Sequence, residues 1–262
     1  MYDFAESLDI LNIQDAVAID GMIKLIDQGC YPFEYFDCAS YLYNNENVLG
    51  IRHLSKLFQY KDSPFLQLSS KKYFLDKCKE LGVPYVPYCD GRIICKPDKA
   101  YGGNGVSLHT IPPQEGYIYQ PYIEGMKVSS THTLSSLRII VRYTQKNTSI
   151  ISWYVRYKHT SNVADNFGKF ENMFGSAEIG TLFKSRGNHK PVEELTPFPV
   201  NFNFQRLYSL FENIYRFQTL VQENESFLVG LDVLLDVDGY CYFLEANLRP
   251  RVSTAQIANK CG

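Results

Sequence analysis

The sequence lacks most of the signatures that identify a function class at sight. Its seven cysteines (30, 38, 78, 89, 95, 241 and 261) form no CxxC pair. An odd number of thiols without ligand spacing argues against a disulfide framework or a zinc site. Cys95 and Cys241 fall in predicted strands and read as small buried apolar residues. The five histidines include no HxH or HxxxH pair, which leaves each of them structural or superficial. No apolar run approaches the roughly 20 residues needed to span a bilayer. The opening residues MYDFAESLDILNIQDAV carry no basic flank and no apolar core of a signal peptide. A cytoplasmic protein without membrane contact is therefore expected. A formal net charge of -2 supplies no global positive field for nucleic acid. The GKS/T of a P-loop and the GxGxxG of a dinucleotide fold are also missing.

What is abundant is aromatic: 20 Tyr and 17 Phe. Without a basic face they read as core rather than as a base-stacking platform. With 262 residues the chain can bury a sizeable core, as one large domain or two to three small ones. Residues 1–68 are hard to read beyond a helix over 15–28. From Ser69 onward the pattern sharpens. SSKKYFLDKCKELGVP has a serine N-cap, apolar residues at 74, 78 and 81, and a Gly82/Pro84 stop. RIICKP and VSLHT read as strands around the loop DKAYGGNG, and GYIYQPYIEG as a strand running into a connector. Residues 134–158 form two strands about a turn near 145–148. Arg138, Ile140 and Arg142 share one face of the first; Tyr154, Arg156 and Lys158 share one face of the second. Residues 159–180 suit an ordered loop, and apolar spacing predicts a helix over 204–223.

The most informative segment is FLVGLDVLLDVDGYCYFLEANLRPR. Two apolar, β-branched runs flank Asp238-Gly239, a strong signal for a hairpin with a two-residue type I′ turn. That turn sets Asp232 opposite Glu245 and Asn247 opposite Gly230, all on one face. Like charges opposed on a sheet are destabilising, and a divalent cation between them removes the conflict. Two carboxylates and an amide oxygen are hard ligands that suit magnesium shared with nucleotide phosphates. Lys96, next to a loop containing Gly102, Gly103 and Gly105, can neutralise phosphate oxygens while the glycine backbone approaches them. By itself such a loop is more often only a turn.

The order of these pieces resembles the ATP-grasp family over about residues 69 to 262. That likeness implies an α+β fold in which a small lobe (69–124) clamps ATP against a larger antiparallel lobe (125–262). Residues 1–68 would be a reduced α/β domain. It implies that Lys71 and Lys96 contact nucleotide phosphates under the loop at 101–105. Gln120, Pro121, Tyr122 and Ile123 would present backbone to the adenine edge. Asp232, Glu245 and Asn247 would hold one or two Mg2+ ions, with Mn2+ able to substitute. Arg249 would lie near the transferred phosphate. Where the family grips the ribose with an acid, this chain has Lys127, so either Glu124 takes over or the ribose is held differently. Arg138 and Arg156 would bind a substrate carboxylate and stabilise an acyl phosphate, whereas Arg142 and Lys158 read as a solvated strand face. The implied reaction is ADP-forming ligation of a small-molecule carboxylate to an amine, with a homodimer compatible with the aromatic N-terminal part. A small-molecule kinase and a non-catalytic ATP-binding regulator are the alternatives.

Overall fold

A computed structural model describes residues 63–88, 93–98, 106–109, 115–125, 127–161, 173–175, 182–184, 191–192, 204–248, 250 and 255. The expected helix over 15–28 lies outside them. Helix α1 (Lys71–Glu80) starts where Ser70 takes the Tyr73 amide, at 3.2 Å. It ends in a Schellman closure: Gly82 adopts φ +64°, its N–H donates to Lys79 O, and the Val83 N–H donates to Cys78 O. Phe74, Leu75 and Cys78 are its buried apolar face.

Three strands, β1 (Ile93–Pro97), β2 (Ser107–His109) and β3 (Tyr117–Pro121), form a small antiparallel sheet in the order β2-β1-β3. The larger sheet has seven strands. Its centre is β4 (His132–Thr144) and β5 (Thr148–His159), and its outer members are β6 (Met173–Gly175), β7 (Leu182–Lys184) and β8 (Pro191–Val192). The hairpin β9 (Ser226–Leu235) and β10 (Cys241–Asn247) completes the order β10-β9-β4-β5-β6-β7-β8. The architecture is α+β with every strand pairing antiparallel. Strand β6 falls in the stretch expected to be loop. Three residues pairing to the end of β5 give too short an alternation to be read from sequence.

The large sheet has two unlike faces, because side chains alternate along each strand. On one face Leu137, Ile139, Val141 and Tyr143 of β4 continue into Val229, Leu231 and Val233 of β9, all buried. Helix α2 (Phe204–Arg216) covers this face through Leu210 and Ile214. It is shorter than the periodicity predicts, since residues Phe217–Leu220 tighten into a 3-10 turn. That turn seats Phe217 between Phe74 (5.5 Å) and Phe243 (5.6 Å). Burying one such ring contributes about 1.5–3 kcal/mol. The opposite face carries Thr133, Ser136, Arg138, Tyr154, Arg156, Lys158, Asp232, Glu245 and Asn247, as the pairings across β5-β4-β9-β10 require.

Candidate functional site

The hairpin that carries the acidic pair closes differently from the sequence expectation, yet delivers the same register at the site. The Asp236 carboxylate accepts from the amides of Asp238 (2.9 Å) and Tyr240 (2.8 Å). This widens the loop to Val237, Asp238 and Gly239, closed by the Asp236 N–H donating to Tyr240 O and the Gly239 N–H donating to Asp236 O. Gly239 takes φ +77° and Asp238 does not take positive φ, so the type I′ turn is corrected. An aspartate side chain that caps its own turn removes the need for two left-handed residues. The wider loop shifts the pairing by one residue, and a bulge between Phe243 and Glu245 shifts it back. Asp232 therefore faces Glu245, and Asn247 faces Gly230.

Asp232 is 2% exposed and sits among arginines. Arg138 grips both of its oxygens through Nε and Nη2, and Arg156 Nη2 lies 2.9 Å from Oδ1. Arg156 in turn donates from Nε to Ser136 Oγ at 3.0 Å. The Arg138 side chain packs closely over Gly230. A Cβ there would lie 3.1 Å from Arg138 Cδ and Nη1, and 2.9 Å from Pro250 Cβ. Burial alone would push the Asp232 carboxyl up, but the charges of Arg138 and Arg156 overcome it and hold the pKa at about 2.

Glu245 has the opposite electrostatics. Burial and the Asp232 charge raise its pKa, while Lys96 and Lys71 pull it down. Lys71 Nζ stands 3.7 Å from Glu245 Oε2 and donates to Asp98 O at 3.2 Å. The Asp98 carboxylate accepts from Ser70 Oγ and the Lys72 amide, so it pins the start of α1 beside β1. In this way the small sheet and α1 bring Lys71 and the buried Lys96 towards the acidic pair on the large sheet.

Asp232, Glu245 and Asn247 converge. Asn247 Nδ2 donates to Asp232 Oδ2 (3.3 Å) and to Glu245 Oε1 (3.2 Å). A half-turn of that amide would present Oδ1 instead and leave an acceptor free on each carboxylate. The donor set is then two carboxylates and an amide oxygen, which fits a hard divalent cation such as Mg2+. Among the described residues no group of three or more His, Cys, Asp or Glu offers another metal site.

The remaining expected residues are placed as follows. Gln120 is buried, and its side chain donates to Val86 O at 2.6 Å, tying β3 to the segment after α1. Pro121 ends β3, Tyr122 and Glu124 are exposed, and Ile123 is half-buried. Lys127 is exposed and bridges to Thr133. Gly102, Gly103, Gly105 and Arg249 lie outside the described residues. Arg138 and Arg156 are engaged by Asp232, because β9 pairs with β4 and puts the acid directly opposite Arg138. One reading is corrected. Lys158 is not on a solvated face; it is buried, and its ammonium meets the Tyr122 hydroxyl. Arg142 is exposed, as expected. Sequence reasoning missed Ser136, Thr133 and Asp98. Only the Asp following Lys96-Pro97, beside a helix N-terminus, carried any local signal.

No family model matches the chain, and no curated protein matches it. Solved structures do match it, over part of their length. The N5-carboxyaminoimidazole ribonucleotide synthetase of Thermotoga maritima shares 11% identity over 72% of this chain and 44% of its own, with a TM-score of 0.43. The L-amino acid ligase of Bacillus licheniformis shares 13% over 74% and 43%, with a TM-score of 0.42. The biotin carboxylase of Campylobacter jejuni, in complex with β,γ-ATP, shares 14% over 73% and 43%, with a TM-score of 0.45. The chain spans less than half the length of each of these three.

Proposed function

We propose that this protein is an ATP-dependent, ADP-forming ligase that joins a small-molecule carboxylate to an amine through an acyl phosphate. One observation carries the reading: Glu245 and Asn247, opposite Asp232 and Gly230, converge beneath Lys71 and Lys96. Acidic and amide oxygens beside two lysines at the junction of two sheets suit a metal-bound triphosphate. In this reading residues 69–124 and 125–262 act as the two lobes of a clamp. Asp232, Glu245 and Asn247 would hold a divalent ion, which when bound would supply positive charge against the phosphates. Lys71 and Lys96 would hold the phosphate tail against an incoming carboxylate, so catalysis is mostly positioning and charge neutralisation. Arg138 and Arg156 act through Asp232, fixing its carboxylate in the ionised form. No protein nucleophile is required.

The test is Mg2+-dependent ATP binding by calorimetry, followed by a screen of carboxylates and amines for stimulated phosphate release, with mass spectrometry of the product. Glu245→Gln and Lys96→Ala are expected to reduce turnover by about 10²–10³. Wild-type turnover in both variants would refute the site, and a phosphate ester in place of an amide would identify a kinase instead. One observation favours a second reading, a nucleotide-binding protein without chemistry. Every oxygen of Asp232 is already engaged by Arg138, Arg156 and Asn247. Tight ATP binding with no substrate-stimulated ADP release would support that alternative.

A further inference from the structure

The connector end of the polar sheet face holds two buried groups that the proposed phosphate and metal site does not use. Lys158 is 7% exposed. Its ammonium donates to the Tyr122 hydroxyl at 3.0 Å and lies 4.9 Å from the centroid of that ring. An ammonium has three donors, and no carboxylate among the described residues pairs with this one. Directly opposite it across β4 and β5 is Thr133, 6% exposed, whose buried Oγ1 has no hydrogen-bond partner among the described residues. Opposed residues of an antiparallel pair project to the same side with Cβ atoms about 4.5–5.5 Å apart. Lys127 pairs with Thr133 from the other side and is exposed, so a second cation borders the position.

Buried polar groups are almost always satisfied, and a buried charge without a counter-charge is expensive. An ammonium without a counter-charge and an unpaired hydroxyl at neighbouring positions, among the described residues, describe a place built for an anion. We propose that Lys158 and Thr133, with Tyr122 as a strut, form an oxyanion subsite that takes a carboxylate or phosphate oxygen of a substrate. It lies two residues, about 7 Å of strand, from Arg156, so a ligand seated there extends along the same face towards Asp232. Its existence stands on the two unmet groups. Only the identity of the molecule that brings the oxyanion rests on the ligase reading, in which either the nucleotide or the carboxylate substrate could supply it.

The experiment uses the full chain with Thr133→Val, Lys158→Met and Lys158→Arg. Inorganic phosphate and Mg2+-ATP are titrated by calorimetry, and phosphate is also titrated into protein saturated with Mg2+-ADP. Lys158→Met is expected to weaken binding of the relevant probe about tenfold or more, and Lys158→Arg to retain most of it. Thr133→Val should weaken it severalfold while the melting temperature of the free protein stays level or rises, since the change removes an unsatisfied hydroxyl. A loss seen with Mg2+-ATP assigns the oxyanion to the nucleotide. A loss seen only for phosphate on the Mg2+-ADP complex assigns it to the second substrate. Wild-type protein that binds no Mg2+-ATP, yet binds phosphate in a Lys158-dependent way, sinks the ligase reading and keeps the subsite. Unchanged affinities across the variants, or a wild type that binds neither probe, overturn the subsite. If Lys158→Met fails to fold, Thr133→Val decides alone: unaltered phosphate and Mg2+-ATP affinities then overturn it.

Discussion

Arg138 on β4 and Asp232 on β9 stand directly opposite each other and are joined by two hydrogen bonds, Nε to Oδ1 and Nη2 to Oδ2. They are 94 residues apart in sequence. Arg156 completes the arrangement from β5, so one buried carboxylate is shared by two guanidinium groups drawn from neighbouring strands.

Asp232→Asn is therefore expected to damage folding as well as any activity. Removing the negative charge breaks the buried ion pairs with Arg138 and Arg156, and breaking such a pair costs about 3–5 kcal/mol. Urea unfolding of the variant checks this. A midpoint equal to that of wild type would mean the arginines find other partners.

Acid stability should follow from the same contacts. The folded-state pKa of Asp232 is depressed to about 2 from the usual 3.8. Its contribution is thus present above about pH 4 and is lost as pH falls through about 2. Glu245 runs the other way, because burial and the Asp232 charge raise its pKa above 4.5. Its contribution is present below about pH 4.5 and is lost as pH rises through the folded value. In metal-free protein, Glu245→Gln should flatten the stability profile above about pH 4.5 and leave the acid limb in place. Urea midpoints taken across that pH range distinguish the two limbs.

Gly230→Ala is expected to displace the Arg138 guanidinium, since the added methyl would come within 3.1 Å of it and 2.9 Å of Pro250. Overpacking of this kind costs about 1–3 kcal/mol. The variant should show a lower melting temperature together with weakened Mg2+-ATP binding. Loss of stability with intact binding would mean that Pro250, not the arginine, gives way.

Phe217→Ala removes the ring that stacks on Phe74 at 10° and meets Phe243 at 49°. The expected cost is about 3–5 kcal/mol, read by chemical denaturation. A cost below about 1 kcal/mol would show that α1 and β10 collapse onto each other without it.

Much of this fold was legible because its signals are local. The serine cap and Gly82 stop of α1, the alternation through β4, β5 and β9, and the apolar stripe of α2 each depend on residues within a few positions of one another. The pairing of Asp232 with Glu245 was legible too, although through compensating departures. Asp236 enlarged the turn by a residue, and a bulge returned the difference before the acids were reached. Lys158 was misread because the hydroxyl it meets belongs to Tyr122, 36 residues away on the connector. Asp98 escaped notice because the helix start it secures lies 26 residues upstream.

The sequence by itself determined which side chains share a face, because strand alternation and helical periodicity are properties of neighbouring backbone torsions. It therefore put Arg138 on one face with Arg142, and Asp232, Glu245 and Asn247 together on one face of the hairpin, before any contact was known. Only the tertiary structure decided which charge neutralises which: Asp232 took the two arginines, Glu245 faced the two lysines, and Lys158 kept a single hydroxyl partner. Charge pairing depends on distance and on how much water is excluded. Neither is encoded in sequence separation, so the electrostatics of the cleft came into being with the sheet.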